Sequence, residues 1–158
     1  MTTKPLTTCL WFDDQAEAAA NFYAGVFRNS KVGDITRYPE GTPSPGKVMT
    51  VEFQINGQNF VGLNGGPEFK FNESVSFQIH CDGQDEVDYY WHTLTADGGE
   101  ESQCGWLKDK YGVSWQVVPD QFFDYVTGPD PAGAQRATQA MFGMRKLDIE
   151  ALRKAYEG

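Results

Sequence analysis

Few side chains in this chain could do chemistry, and most of them stand alone. The thiols are Cys9, Cys81 and Cys104, and the imidazoles are His80 and His92. Cys104 lies against Gly105 and Trp106, where a thiol could serve as nucleophile or redox group. No histidine adjoins it to take its proton, so a structural role is the stronger expectation. His80 and His92 fit a strand edge and an exposed helical position better than the place of a base. Glu52 is different, because it interrupts the apolar run Val51-Glu52-Phe53 and shares a strand face with Thr50 and Gln54. If that face borders a cleft, a desolvated carboxylate there is a general base; if it faces water, Glu52 is an ordinary solvated residue. Glu52 and Cys104 are therefore the candidate catalytic groups.

A tight transition-metal site needs three or four imidazole, thiolate or carboxylate donors converging on one point. Two histidines and three widely spaced cysteines, with no Cys-x-x-Cys among them, do not supply one. No metal, other cofactor or disulfide framework is expected. What the chain offers instead is aromatic and carboxamide surface. Trp11, Trp106 and Trp115 are most simply core residues. With Asn64, Ser76, Gln78 and Gln116 as polar points, and Cys9, Thr50, Glu52 and Cys104 beside them, they also have the make-up of a small-molecule pocket.

The elements that must position these residues follow from the patterning. Ser102 to Pro119 has the form of a β-hairpin, two alternating runs around a polar turn at Asp109 to Gly112, with Val113, Trp115 and Val117 on one face and Ser114, Gln116 and Val118 on the other. Upstream, Leu6 to Phe12 reads as a strand and about Gln15 to Phe27 as a helix, which Asp14 and Glu17 open at the spacing of a capping box. Lys31 to Tyr38, Lys47 to Ile55 and Gln58 to Asn64 read as strands; the first two are separated by the Pro39–Gly46 loop and the last two by the hairpin signal Asn56-Gly57. The pattern then restarts with a strand over Ser74 to Cys81 and a helix whose inner face is Val87, Tyr90, Trp91 and Leu94. Asp13 and Asp82, Gln15 and Gln84, and Glu17 and Glu86 each differ by 69 positions (82 − 13, 84 − 15, 86 − 17), the mark of an internal repeat. The fold class is thus α+β: two β-α-β-β-β repeats at about 6–64 and 74–119, forming cupped mixed sheets, with a helical appendage over 120–158. Asp130-Pro131 starts the main appendage helix in an N-cap, N1 arrangement. Met141, Met144 and Leu152 give the appendage an apolar face that needs cover, from its own domain or from a second subunit of a homodimer.

Composition excludes several classes. At 158 residues, 40% hydrophobic and 14% aromatic, the chain suits one domain with a real core. A net charge of −9 opposes sequence-independent nucleic-acid binding, which relies on basic surface. No apolar run approaches the ~20 residues of a membrane helix, and the N-terminus lacks a basic-then-apolar leader, so a cytoplasmic protein is expected.

Several stretches carry a family resemblance: Trp11-Phe12-Asp13, Ala18-Ala19-Ala20-Asn21-Phe22-Tyr23, Leu63-Asn64-Gly65-Gly66-Pro67-Glu68-Phe69, Gln103-Cys104-Gly105-Trp106-Leu107-Lys108-Asp109 and Gly112-Val113-Ser114-Trp115-Gln116. Over residues 6–119 the chain resembles the vicinal oxygen chelate (glyoxalase/bleomycin-resistance) superfamily, in its PhnB-like branch labelled "3-demethylubiquinone-9 3-methyltransferase domain". The resemblance implies cupped sheets forming a cleft, usually in a homodimer. It does not imply methyl transfer, since no Gly-rich loop follows the first strand. The superfamily's divalent metal would fall at Thr7 to Cys9, Val61, Ser76 to Gln78 and Gln116, and none of these is His, Asp or Glu. The expected function is metal-free small-molecule binding; the alternative is an enzyme of the superfamily's lyase, isomerase or dioxygenase type on a small oxygenated substrate.

Overall fold

The protein is described by a computed structural model covering residues 3–158. The chain divides into two compact units, one ending at Phe71 and the other starting at Asn72, so the boundary falls in the connector between the two repeats.

In the first unit, β1 (Thr8–Phe12) leads into α1 (Ala16–Val26), followed by β2 (Lys31–Arg37), β3 (Val48–Ile55) and β4 (Gln58–Asn64). The strands form one mixed sheet of order β1-β4-β3-β2, with β1 parallel to β4 and the other neighbours antiparallel. One face of this sheet carries Leu10, Phe12, Val51, Phe53, Ile55 and Phe60, all buried. Against it lies α1, whose inner residues Ala16, Ala19, Ala20, Tyr23 and Val26 are mostly small. Small residues let the helix axis approach closely. Gly62 marks the tightest point, because a Cβ there would stand 3.0 Å from that of Ala16. The aromatic stack of Tyr23 on Phe53 and Phe53 on Phe60 fills the wider end, with centroids 6.1 and 5.3 Å apart.

The second unit repeats the plan with β5 (Phe77–Cys81), α2 (Gln84–Thr95), β6 (Glu100–Glu101), β7 (Trp106–Lys108) and β8 (Ser114–Pro119), in the order β5-β8-β7-β6 with β5 parallel to β8. The bounds of β5 are those of β1 moved by the same 69 positions (77 − 8, 81 − 12). The matched hairpin glycines Gly57 and Gly112 are both left-handed, at φ 81° and 86°. Val87, Trp91 and Leu94 of α2 are buried on the sheet face that presents Ile79, Cys81, Leu107, Trp115 and Val117; Tyr90, expected among them, is only half-buried. The hairpin is anchored by Asp109, 2% exposed, whose carboxylate accepts from the backbone N–H groups of Tyr111 (2.9 Å) and Val113 (3.1 Å) and from Trp115 Nε1 (2.8 Å).

The expected capping box at α1 does not form. Gln15 is the N-cap residue and makes no side-chain cap bond; Asn64 at the end of β4 accepts from Ala16 N instead, at 2.9 Å. In the second unit Glu86 Oε2 reaches back past the N-cap Gly83 and accepts from Asp82 N at 2.9 Å.

The appendage belongs to the second unit and consists of α3 (Phe122–Val126), α4 (Pro131–Phe142) and α5 (Ile149–Glu157). Asp130 caps α4 through Ala132 N and Gly133 N, as its sequence predicts. The chain between α4 and α5 accepts from Cys104 N and Gly105 N at Met144 O (2.8 Å) and Arg145 O (2.7 Å), while Gln84 bridges Leu147 O and Ile149 N. Leu152 is fully buried, and Met141 and Met144 are half-buried. Leu152 is thus covered within its own unit, while Met141 and Met144 keep part of their surface open. Among the described residues no helix is long and apolar enough to cross a membrane.

Removing the Asp109 carboxylate leaves three donors unmatched in the core. We expect Asp109→Ala to cost about 3 kcal/mol. Asp109→Asn should fall between it and wild type, since it keeps an acceptor for the backbone N–H groups but sets an NH2 against the Trp115 indole. Urea unfolding followed by circular dichroism measures this; a loss under about 1 kcal/mol for the alanine variant would contradict the assigned role.

Candidate functional site

Each sheet buries one face under its helix, and the other carries residues in register across the strands. On the open face of the first sheet, Cys9, Val61 and Glu52 form one row and Trp11, Leu63 and Thr50 the next. On the second sheet the corresponding row is Gln78, Gln116 and Trp106. Cys9 and Gln78 differ by 69 positions, and Val61 and Gln116 by 55, the spacing of the two hairpin glycines (112 − 57). These rows contain the positions where the sequence resemblance puts metal ligands.

The donors there do not suit a metal. A thiol and a valine in one unit and two carboxamides in the other are a poor set for Mn, Fe, Ni or Zn. Among the described residues no group of three or more His, Cys, Asp or Glu comes together to hold a metal ion. The second-unit row is internally bonded instead: Gln116 Nε2 donates to Ser76 Oγ at 2.8 Å, and Gln78 Nε2 donates to Gln116 Oε1 at 3.2 Å. Gln78 is exposed, and Trp106 is half-buried at the other end of the row. His80, two residues along β5 on the same face, has Nδ1 3.8 Å from Asp120 Oδ1.

In the first unit Glu52 is exposed, on the same face as Thr50 and Gln54 as expected. Thr50 Oγ1 is bonded to Thr36 Oγ1 at 2.6 Å, and Gln54 Nε2 donates to Asn59 at 2.7 Å. Trp11 is fixed rather than adaptable. Its Nε1 donates to Gly66 O at 2.8 Å, its ring meets Phe69 edge-on at 5.0 Å, and a Cβ on Gly65 would stand 2.2 Å from the indole.

Three sequence-predicted pocket residues have other duties. Trp115 is 3% exposed, on the core face with its indole N–H on Asp109, because it neighbours Gln116 in the strand and must point the opposite way. Asn64 is spent internally, its amide donating to Val48 O while its oxygen caps α1. Cys104 sits in a left-handed turn at φ 56°, with Sγ 3.6 Å from Met141 O, so its thiol is turned to the α4 end rather than the open row. The histidine missing near Cys104 in sequence is missing from its bonded neighbours as well. His92 lies exposed on α2, as expected.

The first unit also contains a feature the sequence reading passed over: a cavity of about 650 Å³ at the start of α1, lined by Asp13, Asp14, Glu17, Tyr38, Lys47, Asn64 and their neighbours. In the sequence Asp14 and Glu17 carry the spacing of a helix cap, Asp13 and Glu17 mark the repeat, and Pro39–Gly46 is a connector. Three carboxylates within five positions were the available signal.

Two four-stranded mixed sheets of this strand order, each with a crossover helix, define a protein of the vicinal oxygen chelate class. A model of the family described as 3-demethylubiquinone-9 3-methyltransferase matches residues 4–118, and the chain belongs to this PhnB-like family. A PhnB protein from Bacillus cereus is 34% identical over 73% of this chain and 99% of its own, with a TM-score of 0.66. Protein PA1353 from Pseudomonas aeruginosa is 16% identical over 74% of this chain and 98% of its own, TM-score 0.61. The fosfomycin resistance protein FosX from Listeria monocytogenes, solved with Mn(II) and sulfate, is 19% identical over 74% and 92%, TM-score 0.50. The last two share the fold alone. No curated protein matches the sequence. The family's methyltransferase description is a name only, since neither sheet is doubly wound. The family match stops short of α3 to α5.

Two of the three thiols, Cys9 and Cys81, are told apart by their burial. Cys9 is exposed, whereas burial, helped by the nearby Glu86 and Asp120 carboxylates, pushes the Cys81 thiol from 9.0 up to about 12. In the unfolded chain the Cys81 thiol ionises near its ordinary value, so its contribution to stability is intact below pH 9.0 and is lost as pH rises towards about 12. At pH 8 a disulfide thiol reagent should label Cys9 in the native protein and Cys81 only on unfolding. Between pH 9 and 11, Cys81→Ala should lose stability less steeply than wild type; identical slopes would contradict the burial assigned to Cys81.

Proposed function

We propose that this PhnB-like protein binds a small oxygenated or partly aromatic molecule on the open faces of its sheets, without a resident divalent metal. The observation that carries the reading is the row Ser76, Gln116, Gln78 beside Trp106. Carboxamides and a hydroxyl bonded in a chain supply both donors and acceptors at fixed positions, and a half-buried indole supplies a flat apolar wall. That combination recognises carbonyl, hydroxyl or amide groups on a ring. It supplies no nucleophile. Catalysis finds less support: Cys104 is turned away from the row, and Glu52 is solvent-exposed with no acid partner bonded to it among the described residues, which leaves it short of an acid/base pair.

Replacing Gln116 by Leu breaks both bonds of the chain while keeping bulk. Native mass spectrometry of protein as purified, together with quenching of tryptophan emission by phenol-type and benzamide-type probes, tests the proposal. Wild type should quench saturably, with Gln116→Leu weakened about tenfold or more, the loss of one to two good hydrogen bonds. Equal binding by both proteins would remove the row from the site. Turnover of an oxygenated probe that is lost on Glu52→Gln would favour the enzyme instead.

A further inference from the structure

We propose that the link between α4 and α5 is a positioning device for the open row: Met144 and Arg145 hold the Cys104-Gly105 turn, and the turn stands Trp106 beside Gln116. This turn connects β6 to β7. Trp106 N donates to Gln103 O at 3.0 Å, and the two residues between them are left-handed, Cys104 at φ 56° and Gly105 at φ 84°. That is the pattern of a type I′ turn, whose central residues are ordinarily Asn, Asp or Gly. A cysteine at the first of them is strained and keeps that conformation only where its surroundings impose it. Here the appendage imposes it. Cys104 N and Gly105 N donate to Met144 O at 2.8 Å and Arg145 O at 2.7 Å, and the buried Leu147 packs on Gly105, where a Cβ would stand 3.1 Å from its Cδ1.

The link is itself fixed on its other side by α2. Gln84 Nε2 donates to Leu147 O at 3.1 Å while its Oε1 accepts from Ile149 N at 2.9 Å, and Lys146 Nζ lies 2.6 Å from Asp88 Oδ1. Arg145 Nη1 is 3.6 Å from Glu101 Oε2, and the other oxygen of that carboxylate accepts from Trp91 Nε1. The held turn then passes its position to the row. Gly105 O accepts from Val117 N at 2.8 Å, one residue past Gln116, and Trp106 is the register partner of Gln116. Both α4 and α5 lie outside the family match, so the support comes from residues beyond the shared pattern. The consequence for binding rests on the open-face reading: Trp106 is the flat wall against which the ring of a ligand lies, and the affinity for that ring depends on where the wall stands.

The emission of each protein minus that of its Trp106→Phe counterpart isolates Trp106, and titration with benzamide follows the site. Gln84→Ala releases the link from α2. It should shift the Trp106 emission to the red, ease its quenching by acrylamide and weaken benzamide about fivefold, the size of an aromatic contact. Gln84→Glu, which keeps the acceptor for Ile149 N and loses the donor to Leu147 O, is milder and should shift Trp106 the same way by less. Adding Cys104→Asn to either gives the turn an Asn-Gly centre that forms type I′ geometry unaided, and should restore both readouts. Val87→Ala, a core cavity in the same unit away from the link, should lower stability and move neither. Trp106 emission unmoved by both Gln84 variants, an equal shift in Val87→Ala, or no restoration by Cys104→Asn would overturn the proposal. If Trp106 moves and returns while benzamide binding does not follow, the positioning stands and the open-face reading fails, so the two are separable.

Discussion

Parallel pairing between the first and last strands of each unit is the constraint on which the structure depends. A parallel neighbour cannot be reached by a tight turn, so the chain must cross over one face of the sheet, and here α1 and α2 do so. That single choice makes one face the core and leaves the other open. It also sets the register that places Cys9 beside Val61 and Gln78 beside Gln116. Asn64, the last residue of the β1–β4 ladder, then closes the circuit by capping the helix that the ladder made necessary.

The two copies have used their open faces differently. In the first unit the row is a thiol, a valine and a carboxylate that bonds to none of its row neighbours; in the second it is two carboxamides and an indole in a bonded chain. The first row holds one carboxylate and no imidazole, and the second holds neither. The buried Asp109, by contrast, is a turn device: its three bonds hold the β7–β8 hairpin and point Trp115 into the core, which in turn aims Gln116 outward.

Much of the fold was legible because it rests on local signals. Asn56-Gly57, Gly112 and the Asp130-Pro131 start all act over a few residues and each appears where it was expected, and the 69-position repeat carries the same plan into the second unit. What was not legible depends on distant partners. Asp14 and Glu17 have the spacing of a capping box, yet the helix starts one residue later with Gln15 at its N-cap, and its first N–H, that of Ala16, goes to Asn64, 48 residues away. Alternation alone shows that Trp115 and Gln116 face opposite ways, but only the position of α2 tells which way is inward. Burial of Met141, Met144 and Leu152 was likewise open between a second subunit and the chain's own turn at Cys104 and Gly105. The cavity is not legible in the sequence because its walls come from four separate segments that only the fold brings together.

If the open rows hold no resident metal, elemental analysis of protein purified without chelator should find Mn, Fe, Ni and Zn all far below one equivalent per chain, with no dependence on Gln116 or Glu52. Close to one equivalent of any of them, lost on Gln116→Ala or Glu52→Ala, would overturn the metal-free reading.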